Sequence, residues 1–135
     1  CIRDSLGGAA GVFVGPDHLD MPLTFEGARS RGATLGSGVV SVFNADADML
    51  GILQRIAAFF RDESCGQCVP CRVGTVRQHE TLLHLGRAGS LPPERRELVA
   101  DMARAMADAS ICGLGHTAAT AVESALALGL IGGDR

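Results

Sequence analysis

Two periods divide the chain. Up to about residue 46, apolar residues come in short β-branched or aromatic runs, Val12-Phe13-Val14 and Val39-Val40-Ser41-Val42-Phe43, separated by turn formers such as Gly15-Pro16-Asp17 and Gly36-Ser37-Gly38. Short runs of this kind between glycine-rich turns predict a few brief strands in an irregular lobe. From Asp46 onward the apolar positions recur at helical spacing. Asp46 or Asp48 is placed to cap a first helix with the apolar face Leu50, Leu53, Ile56, Ala57 and Phe60, interrupted near Glu63. A second helix is predicted over about residues 72–87, with Val73, Val76 and Leu83 on one side. Gly89 and Pro92-Pro93 mark a turn, since proline suits the first turn of a helix. The third helix is expected to expose Glu94, Arg95, Arg96 and Glu97 and to bury Leu98, Met102, Ala105 and Met106. A loop over residues 110–115 then precedes a last helix over about residues 117–130, packing through Ala121, Val122, Ala125 and Leu128.

The fold class expected is α+β: a small irregular β-lobe over residues 1–46, followed by a bundle of four short antiparallel helices over residues 47–135. A lobe of that size is too small to stand alone and is expected to pack on the helices.

Composition narrows the function. The net charge is −3 and all 12 basic residues are Arg, with no basic run, no Trp and no Tyr, so nucleic acid is an unsuitable partner. The longest apolar stretch, residues 118–131, is broken by Glu123 and Ser124 and is too short to span a bilayer, so no direct membrane insertion is expected. No signal peptide opens the chain and no Met starts it, which reads as a fragment of a longer protein in a cytoplasmic setting. In that compartment thiols stay reduced, and clustered cysteines favour metal ligation over disulfides.

The clustering is pronounced. Ser64-Cys65-Gly66-Gln67-Cys68-Val69-Pro70-Cys71-Arg72 sets three thiols at three-residue spacing, and Cys112 stands apart beside Gly113 and Gly115. A 4Fe–4S cubane offers four iron corners, each wanting one thiolate, and a tight loop can reach three of them. Zinc more often takes two separated pairs of ligands, so a structural zinc-binding assembly module is the rival reading. Three thiols in seven residues beside Glu63, Gln67 and Arg72 do not look like core filling. Gly66 lets the backbone approach the sulfides, amides near Gln67 and Gly113 are candidate donors to them, and Arg72 either offsets cluster charge or faces water. Cys1 is a spare with no assigned role.

Other residues carry less. His116 is expected to start or cap the last helix rather than ligate. His79 and His84 read as surface, His18 as part of a turn, Asp101 and Asp108 as solvated, and Met102 and Met106 as core. Gly36-Ser37-Gly38 lacks the third glycine and the acidic partner of a dinucleotide fingerprint. No catalytic residue is expected.

The run Glu63 to Arg72, with Ile111-Cys112-Gly113-Leu114-Gly115 some forty residues on, resembles the C-terminal cluster domain of one flavoprotein family. Its members are the NADH-binding subunits of respiratory complex I, NAD-dependent formate dehydrogenase β subunits and diaphorase subunits of NAD-linked hydrogenases. Leu19-Asp20-Met21-Pro22-Leu23 and the stretch Gly32 to Val40 are similar to the family's small β-lobe, a β-grasp-like unit present here in part. Arg72-Val73-Gly74-Thr75-Val76-Arg77 is closer to the formate dehydrogenase β subunits, because many complex I subunits would carry an acidic residue where Val73 stands. The resemblance implies an electron-transfer module of an NAD(H)-dependent oxidoreductase, with Cys65, Cys68, Cys71 and Cys112 as ligands of one 4Fe–4S cluster. It places FMN and NAD(H) on an N-terminal domain that nothing in this sequence matches. It also implies two partners, a thioredoxin-like 2Fe–2S subunit and a larger Fe–S subunit. By this reading the chain alone does not turn over.

Overall fold

The computed structural model describes residues 3–133, so Cys1 lies outside the described residues. Its elements are strands β1 (Arg3–Leu6) and β2 (Val12–Val14), helix α1 (Phe25–Ser30), strand β3 (Val40–Phe43), and helices α2 (Met49–Glu63), α3 (Val69–Ala88), α4 (Pro93–Ala109), α5 (Gly113–Thr117) and α6 (Thr120–Ala127). The fold class is α+β, as expected. The strands form one antiparallel sheet in the order β2-β1-β3. The central strand, β1, is the one the sequence does not announce: Arg3-Asp4-Ser5-Leu6 has no β-branched residue and is extended because it pairs on both sides.

Asp48, not Asp46, caps α2, its Oδ1 accepting from the Gly51 amide at 2.9 Å. Met49, Leu53, Ala57 and Phe60 form the buried stripe of α2, with Leu50 and Ile56 half-buried beside it. Helix α3 begins at Val69, earlier than predicted, with Pro70 in its first turn. Its inner face is Cys71, Gly74, Thr75, Gln78, Leu82 and Leu85, whereas Val73 and Leu83 face outward. The expected apolar side was misplaced because polar residues occupy part of the true one. Thr75 Oγ1 donates to the Cys71 carbonyl at 2.8 Å and Gln78 Nε2 to the Ala118 carbonyl at 2.8 Å, so neither is left unsatisfied by burial.

In α4 the buried stripe is Val99, Ala103 and Met106, while Leu98 is 48% exposed and Ala105 is also outside. Adjacent apolar residues let two stripes, one residue out of register, fit the same helical period. The single last helix expected is two, α5 and α6, broken at the buried pair Ala118 and Ala119. Residues 113–115 are therefore helix rather than loop, and Leu128 is exposed beyond the end of α6.

Helices α2, α3, α4 and α6 pack in a closed circuit, α2 on α3, α3 on α4, α4 on α6 and α6 on α2. One core joins Met49, Leu53, Leu82, Leu85, Val99 and Val122, and takes in Phe13 from β2. A second, nearer the cysteines, is built from Phe60, Ala103, Met106, Ala118 and Ala119. The lobe has its own small core of Leu6, Val14, Met21, Ala28 and Ala33. It is fastened to α6 by polar contacts as well. The Phe13 amide donates to Ser124 Oγ at 2.9 Å, and Thr120 Oγ1 reaches the carbonyls of Ala10 and Gly11 at 3.1 and 3.0 Å. Among the described residues no helix is long and apolar enough to cross a membrane.

Candidate metal centre

The cysteines sit where helices begin. Cys68 is the residue before α3 and Cys71 lies in its first turn, while Cys112 is the residue before α5. Helix starts present unpaired amides and the positive end of the helix dipole, a setting that suits thiolates. Cys65 precedes them in the connection from α2, where Gly66 at φ 80° makes a turn that L side chains rarely adopt. Helix α5 packs on both α3 and α4, and this brings Cys112 to the same end of the molecule as the other three.

The electrostatics register that meeting. Burial pushes the Cys71 thiol above its ordinary range; Ser64 opposes this, and the charges of Cys68, Cys112 and Cys65 add to it. Cys68 is shifted the other way, chiefly by the backbone of Ile111, against desolvation, with further help from Cys71 and Ser110. On the second loop it is the Ile111 backbone that favours the Cys68 thiolate, two residues before the Gly113 expected. Of these four cysteines only Cys71 is buried; Cys68 is half-buried and Cys65 and Cys112 are exposed, which is not how core thiols are arranged.

Around the thiols, Ser64 Oγ lies 3.4 Å from Cys71 Sγ. Arg72 Nη1 donates to the Ser64 carbonyl at 3.1 Å, so the guanidinium closes the cysteine loop on itself. His116 Nε2 is 2.8 Å from the Ser110 carbonyl and ties the second loop. Sequence reasoning missed both serines; their place one residue before Cys65 and two before Cys112 was the available signal. His79 is not a free surface residue: its Nδ1 is 2.8 Å from Arg61 Nη1, and burial, then the Arg61 charge, depress its pKa. His84 and Asp108 are exposed as expected, Asp101 is exposed beside Arg104 at 3.5 Å, and Met106 is core.

Three observations test whether this end suits an iron–sulfur cluster. Among the described residues no three His, Cys, Asp or Glu side chains close on a single metal ion, although the four cysteines gather at one end. Ser110 is buried with its hydroxyl unpartnered. Gly115 leaves open the space that a Cβ would take from Ser110 and Cys71. Four thiols at one end of the helices, beside a buried hydroxyl and the space that Gly115 keeps clear, fit an iron–sulfur cluster.

Thiol-rich sites on small scaffolds serve iron–sulfur clusters and structural zinc alike. Residues 51–128 match the family described as the NADH-ubiquinone oxidoreductase-F iron-sulfur binding region, and the chain belongs to that family, which carries a 4Fe–4S cluster. Relatives include an NADH-quinone oxidoreductase subunit of Mycobacterium tuberculosis, 31% identical over 120 residues, or 89% of this chain and 27% of that protein. The mitochondrial NADH dehydrogenase (ubiquinone) flavoprotein 1 of Dictyostelium discoideum is 29% identical over 124 residues, 90% of this chain and 26% of that protein. The crystal structure of an NAD+-reducing NiFe hydrogenase in its H2-reduced state superposes with a TM-score of 0.80 at 35% identity, covering 93% of this chain and 21% of the other. The chain thus spans about a quarter of the length of the curated relatives it matches. These relatives are subunits of oxidoreductases, and the family places this chain among their electron-transferring parts.

Proposed function

We propose that Cys65, Cys68, Cys71 and Cys112 are the four ligands of the cluster, and that the chain relays single electrons between a flavin and further iron–sulfur centres. One observation carries the reading: two loops about forty residues apart in sequence bring their thiols to one end of the helices. The match of residues 51–128 to an iron-sulfur binding region favours the cluster over a zinc module.

When bound, a 4Fe–4S cluster takes up and releases one electron at a time. The chain's own residues supply its setting. Cys71 anchors the buried side, the Ile111 backbone faces Cys68, and Arg72 closes the first loop through the Ser64 carbonyl. The four packed helices are read as a bundle over residues 47–135 and the sheet as a partial β-grasp-like lobe over residues 1–46. FMN and NAD(H) are assigned to the larger part of the relatives that this chain does not span. A thioredoxin-like 2Fe–2S subunit and a larger Fe–S subunit are the partners proposed, in a cytoplasmic complex.

Anaerobic visible absorption with iron and sulfide analysis tests the reading. A brown protein with about four irons per chain is expected; a colourless protein with one zinc would overturn it. The isolated chain is expected to bind neither NADH nor FMN in a calorimetric titration.

A further inference from the structure

We infer that the hydroxyls of Ser64 and Ser110 donate hydrogen bonds to the sulfur shell of the cluster and hold its reduction potential up. The inference rests on the cluster reading above. The two serines come from different loops and reach neighbouring cysteines. Ser64 is buried, with Oγ 3.4 Å from Cys71 Sγ. A thiolate ligand has no proton, so in that pair the hydroxyl is the donor. Arg72 Nη1 grips the Ser64 carbonyl at 3.1 Å and fixes the residue's place beside the sulfur.

Ser110 is the stronger case. Its main chain is fully engaged: the amide donates to the Met106 carbonyl at 3.2 Å, and its own carbonyl meets His116 Nε2 at 2.8 Å. The hydroxyl is buried without a well-formed hydrogen bond, and the group it acts on is the Cys68 sulfur. Native proteins rarely leave a buried hydroxyl unpaired, so this one calls for an acceptor, and the sulfur shell around Cys68 is the acceptor at hand. The hydroxyl lies between the two loops. A Cβ on Gly115 would collide with Ser110 Oγ and come within 3.0 Å of Cys71 Cβ, so the glycine keeps clear the space that serine and cysteine share. Ser110 also acts on Cys68 in the sense that favours its thiolate.

The electrostatic consequence has a definite sign. Reduction adds one negative charge to a cluster, and donors aimed at its sulfurs stabilise the more negative form. Removing a donor therefore makes the cluster harder to reduce. Neither serine is a ligand; each acts through a sulfur beside it.

Equilibrium redox titration of the cluster-loaded holoprotein, followed by electron paramagnetic resonance, reads this directly. Ser64→Ala and Ser110→Ala are expected to keep the iron content of the unaltered protein while the midpoint potential moves negative. The double variant should move further than either, and Ser64→Thr, which keeps a hydroxyl, should return to the original potential. Loaded alanine variants with unmoved potentials would overturn the inference. Should Ser110→Ala not load, the Ser64→Ala and Ser64→Thr pair decides alone: a negative shift restored by Thr supports the inference, and no shift overturns it. An unaltered protein without cluster iron would instead overturn the proposed function, so the two failures are distinguishable.

Discussion

The two ends of α3 bury different things. Toward Ala88 its inner face is Leu82 and Leu85, packed with Leu53, Val99 and Val122 in the main core. Toward Val69 it is Cys71, Thr75 and Gln78, with Ser64 and Ser110 close by, all buried and polar or sulfur-bearing. The first end is held by removing apolar surface from water, which needs no cofactor. The second packs as well, Gly74 lying against Met106 of the smaller core, but it adds hydrogen bonds and, in the cluster reading, iron. One helix thus joins an end held by apolar packing to an end where apolar packing is mixed with polar contacts and, in the cluster reading, with metal ligation.

The sharpest break in this comparison is chemical. Cys68→Ala is expected to leave a three-iron cluster or none, seen as loss of iron and of visible absorption, with the far end of α3 still folded by circular dichroism. An unchanged iron count and spectrum would remove Cys68 from the ligand set.

Removing the cluster without mutation comes next. The apo protein is expected to lose much of its cooperative thermal transition, with amides of residues 110–115 exchanging fastest and those around Leu53 and Leu82 staying the more protected. An apo form melting as sharply and as high as the holo form would make the cysteine end a preformed cage and erase the contrast.

The converse perturbation is Leu53→Ala. Leu53 is fully buried, and truncation there should cost about 2–5 kcal/mol in denaturant unfolding. Iron content should hold wherever the protein is folded. A loss of iron from folded protein would show that the two ends are not separable.

The smallest effect expected is a pH dependence. Burial and the neighbouring Arg61 charge keep the folded-state pKa of His79 below its ordinary value, so the fold favours the neutral ring. Its contribution is present above the unfolded value and is lost as pH falls through the lowered folded one. Stability should decline modestly on acidification below about 6.5, and His79→Gln should flatten that slope. An unaltered slope in that variant would assign the decline to other groups.

How much of this was legible follows the same divide. Strongly apolar positions on α2 were readable, because Leu53, Ala57 and Phe60 repeat at helical spacing and are in fact buried. The inner face of α3 was not, since Thr75 and Gln78 look like surface until their partners, the carbonyls of Cys71 and Ala118, are known. Those partners depend on how the chain folds back, which no local pattern encodes. The four cysteines could be picked out from their spacing and from the family resemblance. The serines beside them could not, because an unpaired hydroxyl is visible only once burial is known. Strand β1 escaped for a related reason: its extended form comes from two neighbours rather than from its own residues.

The seam between the sheet and α6 bears on where this polypeptide tolerates a cut. A break at residues 46 and 47 follows the change of period but severs a joint. A helical piece beginning at residue 47 would lose Phe13 from its core and leave Val122 and Ala125 newly wetted. Thr120 and Ser124 would lose the main-chain partners that Ala10, Gly11 and Phe13 provide. Whoever trims or transplants this unit should carry the stretch from Gly8 to Val14 along with the helices. A nick in the exposed bend near Gly32, which lies outside that joint, should be far better tolerated.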